Sequence, residues 1–421
     1  MKLEQLLEGV PFTLAQGSLD TEISDIIYDS RKAAPGLLFV CIVGTSVTAM
    51  SCRRLRGKGC QRTGHPARHR PFRHAGRDRG QGGNSRYAMA LMSANLFGNP
   101  SRQMTMIGVT GTKGKTTTTH MIKSVLEAAG RKVGMIGTNG IYYMGRHKET
   151  ANTTPESYEL QKTFREFLDA GCDTALMEVS SQGLMMDRVA GVHYNVGVFT
   201  NLSPDHIGPG EHKTFEEYRS WKGQLFKRCD VGVVNIDDEN TEALLEGHTC
   251  RLVTYGRAEQ ADYRETGFEL LRTHDFLGVK FHVTGKDEMD VKVNMPGEFS
   301  VYNALAALAV GKVLGLPDQA IYDGLASAWS RAAWSWCPSA RSSPSCWTMP
   351  QRGVHRKPAH HSAGLQAPPS GGGVRLRRQP LQAAPLRHGR DLRQDGGSLH
   401  PYRDNNRFEK VEDILLISAW A

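Results

Sequence analysis

The segment that most constrains this chain is Gly108-Val109-Thr110-Gly111-Thr112-Lys113-Gly114-Lys115-Thr116-Thr117, which follows the short apolar run 104–107. An apolar run of that kind reads as a strand. The glycines let backbone N–H groups turn toward an anion, and a helix that follows presents its positive N-terminal end to the same point. Residues 115–129 place Met121, Ile122, Val125, Leu126 and Ala129 on one helical face, and Gly130 stops them. Strand, glycine loop, Gly-Lys-Thr and helix in that order predict a phosphate loop. Gly111, Thr112, Lys113, Gly114, Lys115, Thr116 and Thr117 then hold ATP, with Lys115 reaching the β- and γ-phosphates and the Thr116 hydroxyl on Mg²⁺. Val109 stands where the full form of the motif has its first glycine.

Further motifs follow in order: Asn152-Thr153-Thr154-Pro155, MEVSSQGL at 177–184, TNLSPDHI at 200–207, YRSWKGQLF at 218–226 and GEFSVYNALAALAVGKVLGL at 297–316. With the loop GVTGTKGKTT they resemble the Mur ligase family, in which valine before the loop is usual. The resemblance implies an α/β protein of three domains. Residues 1–100 would bind a UDP-linked substrate. Residues 101–330 would form the ATP-binding domain, a parallel sheet flanked by helices. Residues 331–421 would correspond to a Rossmann-like ligase domain, here disrupted and cut short.

The same resemblance implies a catalytic set of Lys115, Glu178, His206 and Lys222. Its Mg²⁺ ligands would be Thr116, Glu178, His206 and a carbamylated Lys222, and Asn303 would touch adenine. The residue types suit the chemistry. Joining a carboxylate to an amine with ATP proceeds through an acyl-phosphate, which needs the γ-phosphate steered to the carboxylate and its charge neutralised. Glu178 ends the strand-like run TALMEV, where it could meet a metal held by Thr116. Read alone, Glu178 would be a solvated surface acid, His206 a packing or capping residue and Lys222 an exposed helical lysine. Trp221, Leu225 and Phe226 could bury Lys222 in part, which favours the neutral amine that reacts with CO₂. Asn303 reads equally well as a helix-packing residue.

The N-terminal segment IIYDSRKAAPGLLFVCIVGTSV, residues 26–47, resembles the family branch that adds the third residue. That branch appends meso-diaminopimelate or L-lysine to UDP-N-acetylmuramoyl-L-alanyl-D-glutamate. Tyr28, Ser30, Thr45 and Ser46 match its nucleotide and sugar contacts. Asn152, Thr153, Thr154, Ser180 and Arg188 match the contacts to the muramoyl-dipeptide end, Arg188 as a carboxylate or phosphate clamp. Asp404-Asn405-Asn406-Arg407 resembles the motif that selects the incoming amino acid, with Asn406 in place of proline. Arg407 would grip the distal carboxylate of diaminopimelate, which lysine lacks, so diaminopimelate is favoured. A folylpolyglutamate synthase, which shares the loop and the lysine, and a non-catalytic nucleotide-binding remnant are the rival readings.

Two windows break the pattern. Residues 52–80 carry ten Lys/Arg against the single acid Asp78, and residues 326–400 carry eleven against Asp391 and Asp395. Each window has a balance equal to the net charge of the whole chain, +9, so the remainder is net acidic. That distribution argues against nucleic acid as a partner. Neither window shows helical or strand periodicity, yet Trp329, Trp334, Trp336 and Trp347 cluster in the second. Trp347-Thr348-Met349-Pro350, shifted by one base, allows Leu-Asp-Tyr-Ala, and Trp334-Ser335-Trp336 allows Met-Glu-Leu. Both strings occur where the family's last domain has them. We therefore read the windows as out-of-frame translation, which resequencing the coding DNA decides. As written, the chain is expected to give no ligase turnover. It shows no apolar run long enough to span a membrane and no secretory leader, so a cytoplasmic monomer is expected. The eight cysteines form no CxxC pair and read as free thiols.

Overall fold

The computed structural model of the chain describes residues 1–12, 17–32, 34–40, 42, 72–73, 85–272, 277–336, 414–415 and 417–419. All of them belong to one compact unit.

The chain begins with α1 (Leu3–Leu6), the parallel pair β1 (Asp25–Ile27) and β2 (Leu37–Val40), the short β3 (Phe72–Arg73) and α2 (Ser85–Leu96). Leu3, Leu6, Ile26, Leu38, Val40, Met89 and Met92 form a small core of their own. The central part follows: β4 (Thr105–Thr110), α3 (Lys115–Ala128), β5 (Val133–Gly137), β6 (Gly140–Tyr143), β7 (Arg146–Lys148), α4 (Ser157–Asp169), β8 (Thr174–Glu178), α5 (Ser181–Met185), β9 (Tyr194–Phe199), α6 (Phe215–Gly223), β10 (Cys229–Asn235), α7 (Thr241–Leu244), β11 (Arg251–Gly256), β12 (Tyr263–Arg272), β13 (Leu277–Gly285), β14 (Met289–Val293), α8 (Phe299–Val313) and α9 (Asp318–Trp336). The last strands, β15 (Ile414–Leu415) and β16 (Ile417–Ala419), pair antiparallel with β3 and β2.

One sheet carries the central part, in the order β14-β13-β12-β11-β10-β9-β4-β8-β5-β6-β7. From β12 to β5 every neighbouring pair is parallel; the outer strands at both ends are antiparallel. The expected α/β architecture is present. The middle strands are buried almost throughout, as parallel strands covered on both faces must be. Met121, Val125, Ala304, Leu308, Ile321 and Leu325 from α3, α8 and α9 cover one face. Leu160, Phe164 and Phe167 of α4, Leu184 of α5 and Tyr218 of α6 cover the other.

β4 lies between β8 and β9, which come later in sequence, and all three point their carboxyl ends the same way. A crevice outside the carboxyl ends of such strands is where open α/β sheets bind ligands. The Lys-Thr start of α3, the end of β8 at Glu178 and the turn after β9 therefore converge. α3 has the expected face and closes at Gly130, whose φ is +80°. α9 runs six residues beyond the expected domain edge at 330.

Candidate functional site

The loop before α3 bends at Gly111 and Gly114, with φ of +150° and +81°. Only glycine fits at 111, because a Cβ there would collide with the Thr200 hydroxyl. Asn201 braces the loop tip: its Oδ1 accepts from the Lys113 N–H at 3.0 Å and its Nδ2 donates to the Lys113 carbonyl at 3.0 Å. Thr200 donates to the same carbonyl at 2.9 Å.

Lys115 turns back over the loop and donates from Nζ to the carbonyls of Gly111 and Thr112, both at 3.0 Å. Lys222 arrives from α6 and donates to the Gly111 carbonyl as well, at 2.8 Å. It is 2 % exposed, so the expected partial burial is in fact nearly complete. Burial drives its pKa well down, and the neighbouring Lys115 ammonium pushes the same way. Burial also lowers Lys115, against the pull of Glu178 and Asp205. Neither lysine has a carboxylate within ion-pair distance among the described residues. The desolvated Lys115 ammonium, with the Lys222 amine beside it on the same carbonyl, leaves a charge that a phosphate completes, and the fit to a triphosphate is good.

Glu178 is 1 % exposed rather than a surface acid. Its Oε1 accepts from the Thr116 hydroxyl at 2.9 Å and from the Thr138 N–H at 3.1 Å, and its Oε2 accepts from the Thr138 hydroxyl at 3.1 Å. One hydroxyl and one carboxylate side by side, next to a phosphate loop, suit Mg²⁺, which keeps waters and phosphate oxygens as its other ligands. Among the described residues no cluster of three or more His, Cys, Asp or Glu could hold an ion by itself. Thr138 has no signal in the sequence beyond a turn residue.

His206 sits in the turn after β9 with φ of +52°, about half exposed, and its Nδ1 meets Glu211 Oε1 at 3.0 Å. It makes no hydrogen bond to the Thr116–Glu178 pair. What ties it to the loop is Tyr218, whose ring centre is 6.2 Å from His206 and 4.6 Å from Lys222 Nζ. The Tyr218 hydroxyl contacts Thr112 Oγ1 at 3.1 Å. Sequence reasoning missed Tyr218 and also the fully buried His212, whose Nε2 meets Ser181 Oγ at 2.9 Å and whose N–H holds the His206 carbonyl.

The substrate-side residues form a connected string. Thr154 Oγ1 donates to the Glu178 carbonyl and accepts from the Ser180 N–H, both at 3.0 Å, and Ser180 caps α5 by accepting from the Gly183 N–H. Thr153 contacts Thr138 at 3.1 Å. Arg188 donates to the Thr154 carbonyl and pairs with Glu156 at 2.9 Å, so an internal acid already engages it. Glu156 also pairs with Arg86 of α2 at 2.9 Å. Tyr28 donates to Glu159 at 2.6 Å. Asn152 is exposed and accepts through its carbonyl from Thr150. Asn303 accepts from Thr118 at 3.0 Å and lies under Gly114, a packing contact between α8 and the loop. Ser30 lies in a turn of 3-10 helix before β2. Thr45, Ser46, Asp404, Asn405 and Arg407 lie outside the described residues.

Residues 109–311 match the Mur ligase middle domain. A UDP-N-acetylmuramoyl-L-alanyl-D-glutamate–2,6-diaminopimelate ligase of Clostridium perfringens is 34 % identical over 332 residues, which cover 77 % of this chain and 67 % of that protein. The chain belongs to the Mur ligase family. Ligase 1 of the same description from Clostridium acetobutylicum is 38 % identical over 332 residues, 77 % of this chain and 66 % of its own length. The chain thus spans about two-thirds of the Mur ligases it matches. Among solved structures, a UDP-N-acetylmuramoyl-L-alanyl-D-glutamate–2,6-diaminopimelate ligase aligns with TM-score 0.64 at 21 % identity, over 78 % of this chain and 66 % of that one. MurF from Acinetobacter baumannii aligns with TM-score 0.51 at 22 % identity, over 77 % of this chain and 67 % of that one. At those identities the structures speak for the Mur ligase fold. Among the described residues no helix is long and apolar enough to cross a membrane.

One further group near the site makes acid stability testable. His120 lies one turn beyond Thr116 on α3; its Nε2 is buried with no hydrogen-bond partner among the described residues, and burial lowers its pKa to about 4. The unfolded chain binds this proton first, near the ordinary value of 6.5. The penalty is therefore absent above pH 6.5 and grows as the pH falls toward about 4. We expect His120→Phe to flatten the loss of stability across that window, measured by urea unfolding at stepped pH. Superimposable curves would refute a buried neutral imidazole.

Proposed function

We propose that this chain carries the ATP side of an amide-forming ligase. Its ancestral reaction adds meso-diaminopimelate to UDP-N-acetylmuramoyl-L-alanyl-D-glutamate in cytoplasmic cell-wall precursor synthesis. The three-domain division at 100 and 330, a monomeric state and the preference for diaminopimelate over L-lysine are part of the proposal. What carries it is the contact of Thr116 with Glu178 beside a loop whose two buried lysines share the Gly111 carbonyl. Mg²⁺–ATP supplies, when bound, the phosphoryl group that activates the substrate carboxylate. Lys115 would neutralise phosphate charge. Thr116 and Glu178 would hold the cation, with Thr138 fixing the orientation of Glu178. His206 and a carbamylated Lys222 would form a second cation site across the Tyr218 ring. Asn152, Thr153, Thr154 and Ser180 border the carboxylate end of β8, where the muramoyl-dipeptide would lie.

The preserved loop and the aberrant windows at 52–84 and 331–403 favour nucleotide binding without turnover for the chain as written. The test is calorimetric titration with Mg²⁺–ADP, together with a product assay on the UDP-linked dipeptide and diaminopimelate. Binding with no tripeptide product is expected. Absence of binding sinks the proposal, and robust product sinks the inactivity.

A further inference from the structure

Away from the loop, at the opposite ends of β10 and β11, two buried cysteines meet. Cys229 opens β10 and Cys250 immediately precedes β11. Each lies over a glycine of the sheet: a Cβ on Gly197 would come within 2.9 Å of the Cys229 sulfur, and one on Gly232 within 3.0 Å of the Cys250 sulfur. Gly197 and Gly232 are register partners on β9 and β10, so they sit about 4.8 Å apart. The missing side chains open one floor on which both sulfurs rest. The Cys250 sulfur also lies 4.0 Å from Nδ1 of the exposed His248, at the rim of the sheet. The third described thiol, Cys172, has no thiol neighbour among the described residues and is raised by burial.

We propose that Cys229 and Cys250 are a reversible disulfide site, closed by a peroxide and reopened by a dithiol. The sulfurs must approach to about 2.0 Å, by side-chain rotation over the shared floor. Cys250 is the attacking group, since the Cys229 thiol and His248 both favour its thiolate, whereas Cys229 is held protonated. The Cys250 thiolate attacks one oxygen of hydrogen peroxide, the O–O bond breaks and hydroxide leaves, giving a sulfenic acid. The Cys229 sulfur then attacks the Cys250 sulfur, the S–O bond breaks, and the Cys229 proton leaves with the hydroxyl as water. Two thiols and one peroxide become one disulfide and two waters. The bond would staple β10 to β11 and close the excursion that contains α7.

The experiment treats the full native chain with hydrogen peroxide, alkylates the remaining thiols and digests with trypsin. Cleavage after Arg228 and Arg251 releases both cysteines in one peptide. The expected peptide is unalkylated and lighter by two hydrogens, and dithiothreitol restores two alkylation sites. Thermal melting of the oxidised chain should shift upward and fall back on reduction. In Cys229→Ser, the sulfenic acid on Cys250 should persist and be trapped by dimedone. A peptide alkylated twice after native oxidation overturns the proposal. So does a bond that forms only when the chain is unfolded in urea first. The site does not depend on the ligase reading, and either can fail alone.

Discussion

Replacing Lys115 with alanine should leave the fold as stable as before, or more so, and cost nucleotide affinity roughly a hundredfold. The first half follows from burial. The ammonium is desolvated, is satisfied only by the carbonyls of Gly111 and Thr112, and has its pKa lowered for that reason. A buried charge held by neutral acceptors is a net cost to folding. The second half follows from what that cost prepares. A charge-assisted hydrogen bond to a phosphate contributes about 1.5–3 kcal/mol, and each 1.4 kcal/mol is about tenfold in affinity. Lys222 stays in place in the variant, so the loop still has a donor for Gly111. The control is Lys123→Ala, which removes only a salt bridge to Glu127 one turn along the same helix and should leave binding unchanged. Titration with Mg²⁺–ADP and urea unfolding of all three chains read the two effects separately. Equal affinity in Lys115→Ala would mean that the loop holds no phosphate. A large loss of stability would mean that the lysine is structural.

The phosphate loop was legible because its logic is local. Gly111, Gly114 and the Lys-Thr start of α3 sit within seven residues, and the helix that follows announces itself by its period. Glu178 was legible as a strand end, but its burial was not: its partners Thr116 and Thr138 are 62 and 40 residues away, and no pattern along the chain records that. Lys222 looked like an ordinary helical lysine with some cover. Its burial comes from the Gly111 carbonyl and the Tyr218 ring, a contact between segments 111 residues apart. Arg188 was read as a clamp for substrate, yet Glu156 is its present partner, and a free arginine cannot be told from an engaged one by sequence alone. The thiol pair was hidden for a different reason. It depends on two missing side chains, Gly197 and Gly232, on strands that neither cysteine's own neighbourhood predicts.

The same kind of hidden fit predicts the largest stability effect outside the site. Gly324 lies on α9 where that helix presses against α3. A Cβ there would fall on the Cα of Val125, with Val125 N at 2.8 Å and Ser124 O at 2.9 Å. Those are backbone atoms of a helix interior, so no side chain can turn aside. Alanine in place of glycine should gain about 1 kcal/mol of helix propensity. Against this, α9 must back away, and the fully buried Ile321 and Leu325 lose contact with the core that covers the sheet. Overpacking costs about 1–3 kcal/mol and the opened space adds to it, so a net loss of about 2 kcal/mol is expected for Gly324→Ala. Gly324→Val should lose more, since it adds bulk without the propensity gain. Gln319→Ala on the exposed side of α9 should change little. Because α3 begins at Lys115 and Thr116, a displaced α9 should also weaken Mg²⁺–ADP binding, though by less than Lys115→Ala does. Urea unfolding gives the first number and titration the second. If Gly324→Ala proves neutral or stabilising, α9 does not approach α3 this closely, and the contact from Gly324 to Val125 must be drawn differently.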